Sequence, residues 1–308
     1  MNAVRLSSLV AVASGLILFC SCVAARHESR IVAASKLPAD VAINKYASRG
    51  GSLVVQLHLE NGDTFPCVVD TGAPGSVLPK SLEQQLGKRL AKGRVLTFGG
   101  DIEEEEIYAT PTIYLGDTPL MTGDQIGTWN NTFGILGMDC LRHYCVQLDF
   151  QAGKMRFLDP DSVNVAELGK AFPLTGSHYI YIHHHGFFDR EDSEWMIDTG
   201  FPLDGVVNSK LCKRAVLEQK AQPAPIKIVG VPKSPVPRFL TFSTCSWAGQ
   251  TYTNLIIQAG HPNLIGLKFL ARHQVTFNFP KQVMYLKYTG ADALPGKKPA
   301  ASASFADP

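Results

Sequence analysis

Of the 27 acidic residues in this 308-residue chain, two stand in the same local setting. Asp70 lies in Cys67-Val68-Val69-Asp70-Thr71-Gly72, and Asp198 lies in Trp195-Met196-Ile197-Asp198-Thr199-Gly200. In each, an apolar run delivers a carboxylate to a Thr-Gly turn. Two carboxyls held ~3 Å apart cannot both ionise cheaply, so they share a proton and their apparent pKa values split. The charged member of such a pair can act as general base on water, while the protonated member polarises a carbonyl. That chemistry belongs to the pair, not to either acid alone.

Other chemistries lack their parts. His183-His184-His185 invites a metal, but neighbouring residues of a strand point to opposite faces, so only His183 and His185 could converge. Asp189 and Glu191 follow nearby, yet no carboxylate or cysteine stands at ligand spacing, and no metal is expected. Gly75-Ser76-Val77 and Gly176-Ser177-His178 fall outside the Gly-x-Ser-x-Gly frame of serine hydrolases. Asn130-Asn131-Thr132 is a formal glycosylation triplet of a kind common by chance. There is no phosphate loop and no dinucleotide fingerprint, so no cofactor is expected.

The elements that must position the two acids are themselves duplicated. An alternating strand precedes each triplet, at 53–59 and again at 179–183, and Asn61-Gly62 marks a hairpin turn in the first copy. Downstream, Ile135-Leu136-Gly137 answers Leu264-Ile265-Gly266, 67 positions after Asp70 and 68 after Asp198. Beyond those glycines the copies run without a gap: Leu141, Val146, Leu148 and Phe150 fall opposite Leu270, Val275, Phe277 and Phe279. Strands are expected at 95–98, 108–115, 145–150 and 154–158, with short helices at 80–86, 139–143, 209–219 and 268–272. The expected organisation is a leader over 1–25, an N-terminal segment over 26–50, a first lobe over 51–160 and a linker over 161–176. A second lobe over 177–289 and a disordered tail over 290–308 complete it.

Asp70-Thr71-Gly72-Ala73 with Ser76-Val77-Leu78-Pro79 resembles the active-site loop of the retropepsin-like and pepsin-like aspartic peptidases. The two hydrophobic-hydrophobic-Gly elements fit the same family, and the resemblance covers residues 51–290. It implies an all-β, bilobal acid-protease fold of two pseudo-twofold-related, barrel-like lobes, and an aspartic-type endopeptidase. Asp70 and Asp198 would be catalytic. Thr71, Gly72, Ala73, Thr199, Gly200 and Phe201 would form the supporting loops, the threonines bonding across to the opposite loop. A hairpin flap would lie around Phe98, Gly99, Gly100 and Tyr108. The substrate would be a polypeptide in extended conformation, and one chain would hold a complete site. The second loop departs from the family pattern: Phe201-Pro202-Leu203-Asp204-Gly205 puts a bulky ring where the first loop has Ala73, which leaves a catalytically inactive peptide-binding or structural protein of the same fold as the alternative.

Composition agrees with a β-rich, exported protein. Charged residues are 18% of the chain beside 27 Gly and 19 Pro, a balance that favours short strands and many turns. A net charge of +2 offers no electrostatic reason to bind nucleic acid. The acidic run at Asp101 and Glu103 to Glu106 reads as a solvated edge; were it to line the cleft, it would favour basic substrate residues. Arg5, an apolar run over 9–19 and Val23-Ala24-Ala25 make a cleavable export signal, with acylation at Cys22 as the alternative and membrane attachment only in that case. Five cysteines then remain, Cys67, Cys140, Cys145, Cys212 and Cys245, an odd number best read as buried thiols with at most one disulfide among them.

Overall fold

The computed structural model describes residues 36–43, 51–96, 102–190, 193–225 and 238–290. The leader, Cys22, the tail beyond 290 and the expected flap residues Phe98, Gly99 and Gly100 lie outside these.

Three sheets hold all the strands of the described chain. The first half builds a nine-stranded sheet and the second half a seven-stranded one. From one edge, the first-half sheet runs Ala91–Leu96, Ile102–Ala109, Gln125–Trp129, Val77–Pro79, Gly134–Leu136, Thr64–Val69 and Val54–Leu59. The second-half sheet runs Ala221–Pro223, Phe239–Trp247, Gln250–Ala259, Gly205–Val207, Leu264–Gly266, Glu194–Asp198 and Tyr181–His183. Strand for strand the order is the same. The strands Ile113–Leu115 and Thr118–Pro119 then extend only the first sheet. Both sheets place two short parallel pairings at their centre, which requires strands buried on both faces and explains the near-continuous apolar runs before each aspartate.

The third sheet joins the halves. Its order is Val41–Ala42, Lys154–Leu158, Cys145–Asp149, His273–Asn278, Val283–Tyr288 and Lys170–Pro173, antiparallel throughout. Gln147 pairs with Thr276, and its amide donates to the Thr276 hydroxyl at 3.0 Å. These residues are 129 positions apart, the spacing that also relates Gly137 to Gly266. A residue paired with its own repeat equivalent lies on the symmetry axis, so the pseudo-twofold passes between Gln147 and Thr276. Val146, Leu148, Met155, Val275, Phe277 and Met284 give this sheet a buried face continuous with the core of both lobes.

Several local outcomes have simple causes. Gly62 takes φ +88 in the first hairpin, a conformation open to glycine, and its N–H closes the turn on the Leu59 carbonyl at 2.9 Å. The strand expected at 108–115 is broken into Ile102–Ala109 and Ile113–Leu115. Pro111 stands at the break and has no N–H to give a ladder. Lys170–Pro173, inside the stretch expected to link the lobes, is an edge strand of the joining sheet. The expected helices are short: Lys80–Gln85 is a 3-10 turn, and Met138–Leu141, Ser209–Leu217 and Leu267–Leu270 are α-helical. No helix among the described residues is long and apolar enough to cross a membrane.

Candidate active site

Each aspartate leaves the end of a buried strand. Thr64–Val69 runs parallel to Gly134–Leu136, and the Asp70 N–H donates to the Leu136 carbonyl at 3.0 Å. Glu194–Asp198 runs parallel to Leu264–Gly266, bringing Asp198 opposite Gly266. The returning strands Val77–Pro79 and Gly205–Val207 pair antiparallel with those same hydrophobic-hydrophobic-Gly strands. The loop between each aspartate and its returning strand is thereby clamped from below. The Met138 N–H reaches the Ala73 carbonyl at 2.9 Å, and the Leu267 N–H reaches the Phe201 carbonyl at 2.8 Å.

The two loops are locked to each other by their threonines. The Thr71 N–H donates to the Thr199 hydroxyl and the Thr199 N–H to the Thr71 hydroxyl, both at 3.0 Å. Each hydroxyl in turn donates to the strand opposite, Thr71 to the Ile197 carbonyl at 2.8 Å and Thr199 to the Val69 carbonyl at 2.7 Å. All four bonds are buried, and each hydroxyl is used once as donor and once as acceptor. Gly72 and Gly200 permit the close approach that follows. A Cβ on Gly72 would fall 2.5 Å from the Asp198 carboxyl carbon, and one on Gly200 would fall 2.5 Å from an Asp70 oxygen. Any larger residue would push the loops apart.

The Asp70 and Asp198 carboxyls face each other across the two glycines and interact directly. The Gly72 N–H donates to Asp70 Oδ1 at 2.7 Å, and the Gly200 and Phe201 N–H groups donate to Asp198 Oδ1 at 2.8 and 3.0 Å. Burial pushes both acids above the ordinary carboxylate range, against the pull of those N–H donors. Asp198 is raised further by the negative charge of Asp70. Asp70 keeps part of its surface open to the cleft, whereas Asp198 is only 6% exposed. In a pair so placed, ionisation of one carboxyl opposes ionisation of the other.

Among known proteins, no family model and no curated sequence matches the chain. The aspartic proteinase from Irpex lacteus superposes on it with a TM-score of 0.54, over 82% of this chain and 98% of that one, at 15% identity. The fold is the bilobal acid-protease fold. At that identity the likeness carries the architecture and not the activity.

In acid-protease terms the dyad lies at the floor of a cleft of about 1930 Å³ walled by both lobes. Val68, Ile107, Trp129 and Ile135 line it on the first side and Tyr181 and Met196 on the second. The Phe201 ring, expected to threaten the dyad, packs sideways instead. It rests on the Gly266 backbone and joins a buried cluster with Met196, Val206 and Leu264. It forms wall, with its N–H turned to Asp198, and does not separate the acids.

Ala91–Leu96 pairs with Ile102–Ala109, Leu96 opposite Ile102, and this hairpin lines the cleft through Arg94, Glu105 and Ile107. Tyr108 is not part of its cleft face, which corrects the expectation for that residue. Side chains alternate along the strand, Glu105 and Ile107 face the cleft, and the Tyr108 ring is buried in the lobe core. The acidic run divides in the same way. Glu106 is paired with Arg89 and Lys92 on the outer face, while Glu105 lines the cleft.

Two further pairs brace the loops and were not anticipated. The Ser76 hydroxyl donates to Asp139 Oδ1 at 2.7 Å and accepts the Gly137 N–H at 3.0 Å. In the second lobe Asp204 meets Arg272 at 3.2 Å and Lys268 at 3.7 Å. The repeat alignment held the signal, since Ser76 and Asp204 each stand six residues after a dyad acid. The five cysteines are buried free thiols. His183 bonds Thr175 at 2.8 Å and approaches Glu194 at 3.5 Å, and among the described residues no cluster suited to a metal ion is found.

Proposed function

We propose that this chain is an aspartic-type endopeptidase that hydrolyses peptide bonds through a water activated by Asp70 and Asp198. The observation that carries the reading is the close approach of two carboxyls, one from each lobe, that both line one open cleft. A polypeptide would lie extended between the lobes beneath the hairpin, bound through its main chain. The ionised acid takes a proton from water as the oxygen attacks the scissile carbonyl, while the protonated acid donates to the carbonyl oxygen. Collapse of the resulting gem-diol expels the amine, which takes a proton from one acid while a gem-diol hydroxyl gives its proton to the other, so the pair regains its starting charge. The reading needs no cofactor, and a single chain supplies both acids. Export follows from the apolar leader, with a lipid anchor at Cys22 as its alternative form.

The inactive-scaffold alternative rests on Phe201, whose ring packs against Met196, Val206 and Leu264. The test is cleavage of an unfolded protein by the purified chain across a range of pH. Expected are fragments whose formation is blocked by pepstatin and abolished by Asp70→Asn and by Asp198→Asn. Cleavage indifferent to both substitutions would dismiss the dyad, and no cleavage at any pH would favour a binding scaffold.

A further inference from the structure

Glu105 is the one acid of the hairpin's acidic run that lines the cleft among the described side chains. Its neighbours in sequence differ from it. Glu104 is exposed and stands in register with Arg94, and Glu106 lies in a salt bridge of 2.8 Å with Arg89. Glu105 is half-buried and has no hydrogen bond or ion pair with any described residue. Burial alone moves its carboxyl, upward, with no nearby cation to oppose the shift. Of the lysines and arginines that line the cleft, Arg94 lies on the other strand of the same hairpin and Lys213 and Arg238 on the opposite lobe, and none is ion-paired with Glu105.

The place it occupies is shaped to receive it. Gly93 pairs with Glu105 across the hairpin, and Gly127 pairs with Ile107 on the next strand. A Cβ at Gly93 would fall 2.7 Å from Glu105 Oε1, and a Cβ at Gly127 would collide with Oε2. The carboxylate therefore lies flat on two bare stretches of backbone, with the Ile107 side chain beside it. An ionised group in such surroundings is costly unless a positive partner arrives.

From this geometry we infer that Glu105 selects a lysine or arginine side chain of the bound polypeptide, pairing with its ammonium or guanidinium group. The inference rests on the endopeptidase reading and adds a substrate class to it. The apolar wall accommodates the methylene stem of such a side chain while the carboxylate meets its head. A cationic head recovers both its own lost hydration and that of Glu105, whereas an apolar side chain leaves the acid unpaired.

The experiment uses peptides of one sequence in which a single Lys is moved through each position from four before to four after the scissile bond, each matched by a Met peptide. One position is expected to favour Lys over Met by at least tenfold in kcat/KM, with Glu105→Gln erasing that ratio and Glu104→Gln leaving it intact. A ratio near one at every position, or one that survives Glu105→Gln, overturns the inference. Should the wild-type chain cleave none of the peptides, the endopeptidase reading fails, and binding of the same peptides by fluorescence anisotropy decides the present question separately. Tighter binding of a Lys peptide that depends on Glu105 upholds the inference, and equal binding of Lys and Met peptides rejects it.

Discussion

Six residues after each dyad acid the two lobes solve one problem with opposite charges. The first lobe has Ser76, which holds Asp139 on the helix Met138–Leu141. The second has Asp204, fully buried, which holds Lys268 on the helix Leu267–Leu270, at the position equivalent to Asp139, together with Arg272. Asp204 also accepts the Ile256 N–H at 2.7 Å, so its charge is spread over three donors. The backbone frame is the same in both lobes, and what fastens the active-site loop to it is not. A loop fastened by a neutral hydroxyl tolerates loss of its partner; a loop fastened by a buried carboxylate does not. The lobe that departs from the family pattern is thus the one more dependent on its departure.

The largest effect should come from that carboxylate. Asp204→Ala leaves the Arg272 guanidinium buried without its acid, at a cost of about 3–5 kcal/mol. Ser76→Ala removes a neutral bridge and should cost about 1–2 kcal/mol. Urea denaturation of both variants measures the difference, and equal losses would break the contrast between the lobes. Next in size is Phe201→Ala, which empties the cluster of Met196, Val206 and Leu264 and should cost about 3 kcal/mol, with Phe201→Leu costing less than ~1.5 kcal/mol. Little loss on either change would mean that the ring is a cleft ornament rather than a wall. The threonine grip should then behave symmetrically. Thr71→Ala and Thr199→Ala each strand a buried N–H and a carbonyl and should each cost about 1–3 kcal/mol, and serine at either position should recover most of it. Unequal costs would show that the interlock leans on one lobe.

What could be read before the structure follows from which features are periodic or repeated. The duplication and the two acids were legible because each depends on residue type at a spacing that occurs twice. The threonine interlock and the packing beneath the loops were implied by the resemblance to aspartic peptidases. Tyr108 was misplaced because the direction of a side chain depends on the phase of its strand, and a one-residue change of phase exchanges cleft for core. Glu105 was concealed within a run of like residues for the same reason: only the register with Gly93 and Gly127 separates it from Glu104 and Glu106. Asp204 looked like an oddity since its partners Lys268 and Arg272 lie more than sixty positions downstream, and the first lobe offers no matching charge. The Phe201 ring was judged by its nearness in sequence to Asp198, while its direction is set by the open surface over Gly266.

The smallest effect, and the one that separates the two acids most finely, is the dependence of stability on pH. Both carboxyls are raised in the folded chain, chiefly by burial, so the folded state binds protons more tightly than the unfolded one. Stability from this source is then fully present below the unfolded carboxylate value of ~3.9 and is lost as pH rises through the folded values. Replacing either acid by Asn removes the like-charge repulsion and should flatten that decline. The two replacements should not be equivalent. Asp70→Asn leaves Asp198, the more buried acid, which still resists ionisation and keeps part of the slope. Asp198→Asn leaves Asp70, which is more open to the cleft and accepts the Gly72 N–H at 2.7 Å, and should keep less of it. Thermal melts of the wild-type chain and both variants from pH 4 to 7 measure the difference. Identical slopes for the two variants would mean that the lobes present electrostatically equal acids, despite the unequal burial of the pair.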